Sequence, residues 1–167
     1  GERWSAGFQP SGQAPESYDV SFTEDRAEFT RRDGAIGTCL EVIVSSEDDA
    51  EVRRVSLTNH GARTREIEVT SYAEVVLAPA AADASHPAFS NLFVQTEIVP
   101  ERDALLATRR RRSHEEAEIW LAHVIAVEGE TIADLEWETD RAQFLGRGRN
   151  VRAPSAETDD RELSNTV

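Results

Sequence analysis

The fold is decided by the stretch Arg26-Ala27-Glu28-Phe29-Thr30-Arg31-Arg32-Asp33-Gly34-Ala35-Ile36-Gly37-Thr38-Cys39-Leu40-Glu41-Val42-Ile43-Val44-Ser45. Its second half alternates: Leu40, Val42 and Val44 share one side, and the residues between them share the other. A period of two is typical of a β-strand with one buried face. Asp33-Gly34 is a tight-turn signal between the two halves. The stretch therefore predicts a β-hairpin.

The same period continues along the chain. Ile67–Leu77 forms the longest alternating line and ends before Pro79. Ile119–Val127 alternates as well, but the face that carries Trp120 is also apolar. A strand that is apolar on both faces is usually central and covered on both sides, so we expect this strand to be central. The turn signal Asn59-His60-Gly61 is expected to separate two further strands.

These patterns predict an all-β fold, an antiparallel β-sandwich. The best helical candidate, Ser113–Ala117, is too short to form an independent helix. No apolar run approaches the roughly 18 residues of a membrane span. We therefore expect one domain over residues 1–167, in a soluble segment of a larger protein.

The composition limits the partners and the chemistry. Asp and Glu number 32 against 18 Lys and Arg, giving a formal net charge of −14. Nucleic acids recruit basic surfaces, so nucleic acid is not expected as a partner. Cys39 is the only cysteine, and no His-Glu-x-x-His spacing, phosphate loop or nucleophile elbow occurs. We expect no metal, no cofactor and no catalytic residue.

The segment Glu138–Arg149 combines an acid–base pair, an aromatic residue and two glycines. Asp140 and Arg141 can orient neighbouring groups through charge-assisted hydrogen bonds. Phe144 and Leu145 can anchor the segment in a core, so the segment is a candidate ligand or interface site.

Loop aromatics are further candidates, because aromatic faces stack on sugar rings. Trp4, Phe89 and the neighbouring His86 could contact sugar, or could cap the ends of the sandwich, which is the interpretation we favour for Trp137. The run Arg109–Arg112 could contact a polyanion, although the net charge favours a solvated loop.

Five ordered segments together resemble one family. They are Trp4-Ser5 with Gln9-Pro10; Glu51–Asn59; Ser71–Pro79; His86-Pro87-Ala88-Phe89-Ser90-Asn91-Leu92-Phe93; and Thr139-Asp140-Arg141 through Phe144-Leu145-Gly146-Arg147-Gly148-Arg149. The set resembles the N-terminal β-sandwich of the glycoside phosphorylase family that includes cellobiose and chitobiose phosphorylases. The fourth and fifth segments point to the phosphorylase-like region of cyclic β-1,2-glucan synthases.

The resemblance implies a galactose-mutarotase-like supersandwich placed before an (α/α)₆ barrel that carries the catalytic acid. It implies a non-catalytic segment of a multidomain carbohydrate-active enzyme, truncated at its C-terminal end, whose bacterial parent is associated with the inner membrane. The expected partners are the missing barrel and a β-linked glucan or oligosaccharide. The candidates for contact with sugar or barrel are Trp4, His86, Phe89, Asp140, Arg141, Arg147 and Arg149.

Two alternatives stay open on the sequence. The loop aromatics suit a free-standing carbohydrate-binding module. Missing strands would leave an unpaired sheet edge, which suits a structural sandwich that forms a homodimer.

Overall fold

The computed structural model of the chain describes residues 2–86, 89, 92–159 and 162–165. The regular secondary structure in these residues consists of two antiparallel sheets and a few short helices, which confirms the predicted all-β class. The chain divides into two compact units, Gly1–Val69 with Arg149–Ala153, and Thr70–Gly148 with Pro154–Val167.

The first unit holds a four-stranded sheet in simple chain order. Its strands are β1 (Ser17–Phe22), β2 (Arg26–Asp33), β3 (Ile36–Val44) and β4 (Glu51–Asn59). The predicted hairpin is confirmed as β2–β3, with Asp33 paired to Ile36 and Arg26 paired to Ile43. Gly34 has a φ of +55° at the first turn position, where glycine avoids the strain of a Cβ atom.

Arg31 organises the N-terminal part of this unit, although it is 1% exposed. Its guanidinium forms a two-pronged pair with Asp33, at 2.7 Å from Nε to Oδ2 and 2.6 Å from Nη2 to Oδ1. Nη1 also donates to the carbonyl oxygens of Ser5 and Gly7, at 2.8 and 2.7 Å. A buried charge is tolerated only when it is paired and hydrogen-bonded. Arg31 therefore holds the N-terminal segment against β2.

The second unit holds a three-stranded sheet of β5 (Val94–Val99), β6 (Ala104–Arg109) and β7 (Trp120–Val124), in that order. A 3₁₀ turn, Pro100–Arg102, joins β5 to β6. The described helices are α1 (Ala80–Ser85), α2 (Arg141–Leu145) and α3 (Ser155–Thr158). Its buried apolar side chains include Ala104, Ala107, Trp137, Phe144, Leu145 and Pro154.

Several sequence predictions fail in detail. Ile67–Leu77 does not form the predicted strand. None of the described residues pairs with it, and an alternating pattern alone does not supply the neighbour that a strand needs. β7 is an edge strand and not a central one: among the described strands it pairs with β6 alone, and Trp120 is 53% exposed. Residues 60–79, which follow β4, contain no strand, so the turn signal Asn59-His60-Gly61 does not lead into the expected second strand. Ser113–Ala117 is not helical, in agreement with the expectation that this segment is too short for an independent helix.

Candidate functional site

Asp140 caps the N-terminus of helix α2. Its Oδ1 accepts hydrogen bonds from the backbone N–H groups of Ala142 and Gln143, at 2.8 and 3.2 Å. Such N-cap bonds satisfy donors that have no partner inside the helix. The Asp140 N–H in turn donates to Glu138 Oε1 at 2.9 Å. Asp140 therefore orients neighbouring backbone groups through hydrogen bonds, as the sequence predicted.

The other end of α2 is held by burial and by a glycine. Phe144 and Leu145 are 8% and 5% exposed, which confirms their predicted anchoring role. Gly146 ends the helix at φ +78° and ψ 165°, and its N–H donates to Ala142 O at 3.0 Å. A Cβ atom at Gly146 would lie 2.7 Å from Ser155 Cβ, so only glycine fits against α3.

A polar cluster, which we call the Tyr72 triad, consists of Tyr72, Glu74 and Arg141. The Tyr72 hydroxyl donates to Glu74 Oε1 at 2.7 Å, and Arg141 Nε donates to the same oxygen at 3.0 Å. The Tyr72 ring stacks on Phe144, with centroids 5.1 Å apart and ring planes 21° apart. The anchored helix thus positions the triad.

The triad shifts the acidities of its members in opposite directions. Burial, followed by the hydrogen bond to Glu74 and the charge of Glu74, raises the pKa of Tyr72 to about 12. The Tyr72 hydrogen bond lowers the pKa of Glu74, with a further contribution from Arg141. Glu74 is therefore ionised and Tyr72 is neutral at pH 7. Since efficient general acids and bases titrate near the working pH, this triad suits hydrogen bonding to a ligand better than proton transfer.

The predicted site residues fall in different places. Asp140 and Arg141 share α2, and Arg147 follows it as an exposed side chain with no hydrogen bond or ion pair to a described residue. Arg149 is exposed and belongs to the first unit. The structure therefore brings Asp140 and Arg141 together with Tyr72 and Glu74.

Trp4 is partly buried in the first unit. Its Nε1 donates to Thr38 Oγ1 at 3.1 Å, and Thr38 is itself 2% exposed. The indole is consequently anchored to β3 rather than held in an open loop. Trp137, which we expected to cap the fold, is 8% exposed, and its backbone N–H donates to Asn165 Oδ1 at 2.8 Å.

His86 and Phe89 belong to the second unit. His86 is exposed at the end of α1, where its N–H donates to Ala82 O. Phe89 is 51% exposed, and its ring meets Phe93 edge-on at 5.1 Å. Four members of this predicted segment lie outside the described residues: Pro87, Ala88, Ser90 and Asn91.

Sequence reasoning missed both Tyr72 and Glu74 as site residues. Their spacing of two residues on an extended segment places both side chains on one face, which was a usable signal. Arg141 lies 67 positions from Glu74, so its pairing had no local signal.

Two kinds of feature are absent from the described ranges. No group of three or more His, Cys, Asp or Glu side chains there could hold a metal ion. No helix in the same ranges is both long enough and apolar enough to cross a membrane.

Comparison with known proteins identifies relatives of this chain. The cyclic beta-(1,2)-glucan synthase NdvB of Rhizobium meliloti (strain 1021) is 41% identical over 166 residues, which cover 99% of this chain and 6% of that protein. The solabiose phosphorylase of Paenibacillus borealis is 28% identical over 161 residues, which cover 93% of this chain and 19% of that protein. The chain thus spans less than a fifth of the length of either relative.

The protein family described as "Glycosyl hydrolase 94, supersandwich domain" matches this chain over residues 1–167. Together with the antiparallel sheets, this match confirms the predicted β-sandwich class and the resemblance to glycoside phosphorylases. The chain belongs to the supersandwich domain family of glycosyl hydrolase 94.

Proposed function

We propose that this chain is a non-catalytic β-sandwich segment of an enzyme of the cyclic β-1,2-glucan synthase type. It supports an (α/α)₆ barrel in the same polypeptide and helps to line the barrel's sugar site. The observation that carries the proposal is the 41% identity to a cyclic glucan synthase over 99% of the chain. Association of the parent enzyme with the bacterial inner membrane is part of the same proposal.

The turn after α2 supports the interface role. Asp140 caps the helix, Phe144 anchors it, and Gly146 closes it, so the following backbone leaves from a fixed position. Arg147 then extends from this fixed base as an exposed side chain. A guanidinium presents five donors in a planar fork, which suits a carboxylate or a carbonyl on an opposing surface.

The Tyr72 triad supports a role in sugar binding. Glu74 Oε1 already accepts two hydrogen bonds, while the side chains of Glu74 and Arg141 remain 43% and 57% exposed. Their remaining acceptor and donor positions can therefore bind hydroxyl groups. A β-linked glucan offers such hydroxyls in closely spaced pairs, and the ionised Glu74 can accept hydrogen bonds from them.

Incubation of the chain with phosphate and sophorose tests the non-catalytic role. We expect no release of glucose 1-phosphate from the folded chain, with folding checked by circular dichroism. Sustained release by a folded, purified sample would refute the proposal.

The carbohydrate-binding module remains a second candidate, because Phe89 is 51% exposed. Calorimetric titration of the chain with β-1,2-glucan separates the two functions. Binding that is lost in Phe89→Ala would favour the module. An absence of binding favours a segment that needs its barrel. Trp4→Ala is a weaker probe, since Trp4 is tied to Thr38.

The homodimer is a third candidate, and the exposure of β4 favours it. Every residue of Glu51–Asn59 is exposed, and β4 is an outer strand of its sheet. Unpaired strand edges invite pairing between chains. Analytical sedimentation tests this candidate: a monomer at all concentrations contradicts it.

A further inference from the structure

The second unit contains a group of basic and aromatic side chains, of which the proposed functions use only Phe89. We call it the arginine–phenylalanine cluster; its members are Phe89, Phe93, Arg109, Arg110 and Arg112. β5 and β6 bring it together, since Val94 pairs with Arg109 and the Arg110 N–H donates to Phe93 O at 2.8 Å. The sheet register therefore places Phe93 beside the arginine run.

Three guanidinium groups surround one aromatic ring. The Cζ atoms of Arg109, Arg112 and Arg110 lie 5.2, 5.3 and 5.9 Å from the centroid of Phe93. Arg112 also lies 5.8 Å from the centroid of Phe89, whose ring contacts Phe93. Cation–π contacts within about 6 Å are attractive. They restrain the guanidinium groups and so lower the entropy lost when those groups bind a ligand.

The charge of this cluster opposes that of the chain as a whole. Like charges gathered around one ring repel one another, and the chain carries a formal net charge of −14. Arg110 and Arg112 form no ion pair with any described residue. A bound anion would offset the repulsion among these guanidinium groups.

A depression of about 310 Å³ adjoins the cluster and has the lining expected of an anion site. Its lining residues within the described part of the chain are Arg110, Arg111, Arg112, Ser113 and His114, and none of these five is acidic. Guanidinium, hydroxyl and imidazole groups all donate hydrogen bonds to phosphate oxygens. Glu116 Oε2 accepts from the Arg112 backbone N–H at 2.6 Å, and the Arg112 guanidinium forms no ion pair with a described residue.

We propose that the arginine–phenylalanine cluster and its depression bind the phosphate group of a small soluble ligand. A phosphate offers more acceptor oxygens and more charge than a carboxylate, so it can engage several guanidinium groups at once. A long polyanion is excluded as the favoured ligand, because the acidic remainder of the chain repels it. This proposal is independent of the Tyr72 triad and of the turn after α2, and it shares Phe89 with the candidate carbohydrate-binding module.

Calorimetric titration of the 167-residue chain with inorganic phosphate tests the proposal, with chloride at matched ionic strength as the reference. We expect saturable binding of phosphate that chloride does not reproduce. The double variant Arg110→Gln and Arg112→Gln should raise the Kd at least about tenfold, since each charge-assisted hydrogen bond contributes substantially. The matched control, Arg53→Gln with Arg54→Gln on exposed β4, changes the net charge equally and should leave the Kd unchanged.

Phe93→Leu tests the role of the ring separately, because it keeps every charge. We expect its Kd to rise about two- to fivefold, the usual contribution of an exposed cation–π contact. A parallel titration with α-glucose 1-phosphate distinguishes the sources: tighter binding than inorganic phosphate assigns a sugar phosphate, and weaker binding assigns the free ion. No saturable binding by the unmodified chain, or equal losses in the cluster variant and the β4 control, would overturn the proposal.

Discussion

Gly146→Ala should be among the most destabilising single substitutions in the second unit. Gly146 has φ +78° and ψ 165°, a region that side chains other than glycine occupy at a cost of about 1–3 kcal/mol. The new Cβ would also lie 2.7 Å from Ser155 Cβ, and overpacking of that kind costs a further 1–3 kcal/mol or so. We therefore expect a loss of about 2–6 kcal/mol in the free energy of unfolding.

Urea denaturation followed by circular dichroism measures this loss. Gly148→Ala is the matched control: Gly148 has φ +73° but no atom lies within 4 Å of its added Cβ, so backbone strain of about 1–2 kcal/mol should be the whole cost. Adding Ser155→Gly to Gly146→Ala should recover the steric part. Equal losses in the two alanine variants, or no recovery in the double variant, would refute the packing of Gly146 against α3.

Three further predictions concern single side chains. Asp140→Ala should cost about 1 kcal/mol in urea denaturation through loss of the helix cap, whereas Asp140→Asn should cost far less; equal costs would contradict capping. Arg31→Met should cost about 3–5 kcal/mol, because it leaves a carboxylate and several carbonyls unpaired, and a neutral result would contradict its bracing role. In ultraviolet titration of the phenol, Glu74→Gln should lower the pKa of Tyr72 from about 12 towards 10. Arg141→Gln should raise the pKa of Tyr72, because Glu74 and Arg141 act on it in opposite directions. Shifts of the same sign in the two variants would contradict the triad.

The raised pKa of Tyr72 also fixes a pH dependence. The folded chain holds the phenol proton more tightly than the unfolded chain, whose tyrosine titrates near 10. Stability contributed by this group is therefore present below pH 10 and is lost as the pH rises towards 12. Glu74 acts in the opposite sense: its lowered pKa contributes stability above the ordinary value of 4.5, and that stability is lost on acidification.

Features encoded by neighbouring residues could be predicted from the sequence. The β2–β3 hairpin depends on the turn around Gly34 and on alternation within one stretch, so the hairpin itself followed from local pattern. The burial of Phe144 and Leu145 likewise followed from one short segment, although the helix that Asp140 caps was not predicted. The family followed from ordered segments, which carry more information than any single motif.

Features that depend on distant partners could not be predicted. Ile67–Leu77 has the pattern of a strand, but a pattern cannot supply the neighbour that a ladder requires. Arg31 was unremarkable in the sequence because its partners are backbone carbonyls some 24 to 26 positions away. The gathering of guanidinium groups around Phe93 depends on the β5–β6 register, which the arginine run alone does not specify.

Release of glucose 1-phosphate from β-1,2-glucan and phosphate tests most directly whether this β-sandwich is a non-catalytic partner of a barrel. Three samples are compared: the folded chain alone, the barrel of an enzyme that carries this sandwich, and the intact enzyme. We predict no release by the chain alone and full release only by the intact enzyme. Release by the chain alone, or a barrel that retains full activity and stability without the sandwich, would contradict the proposed function.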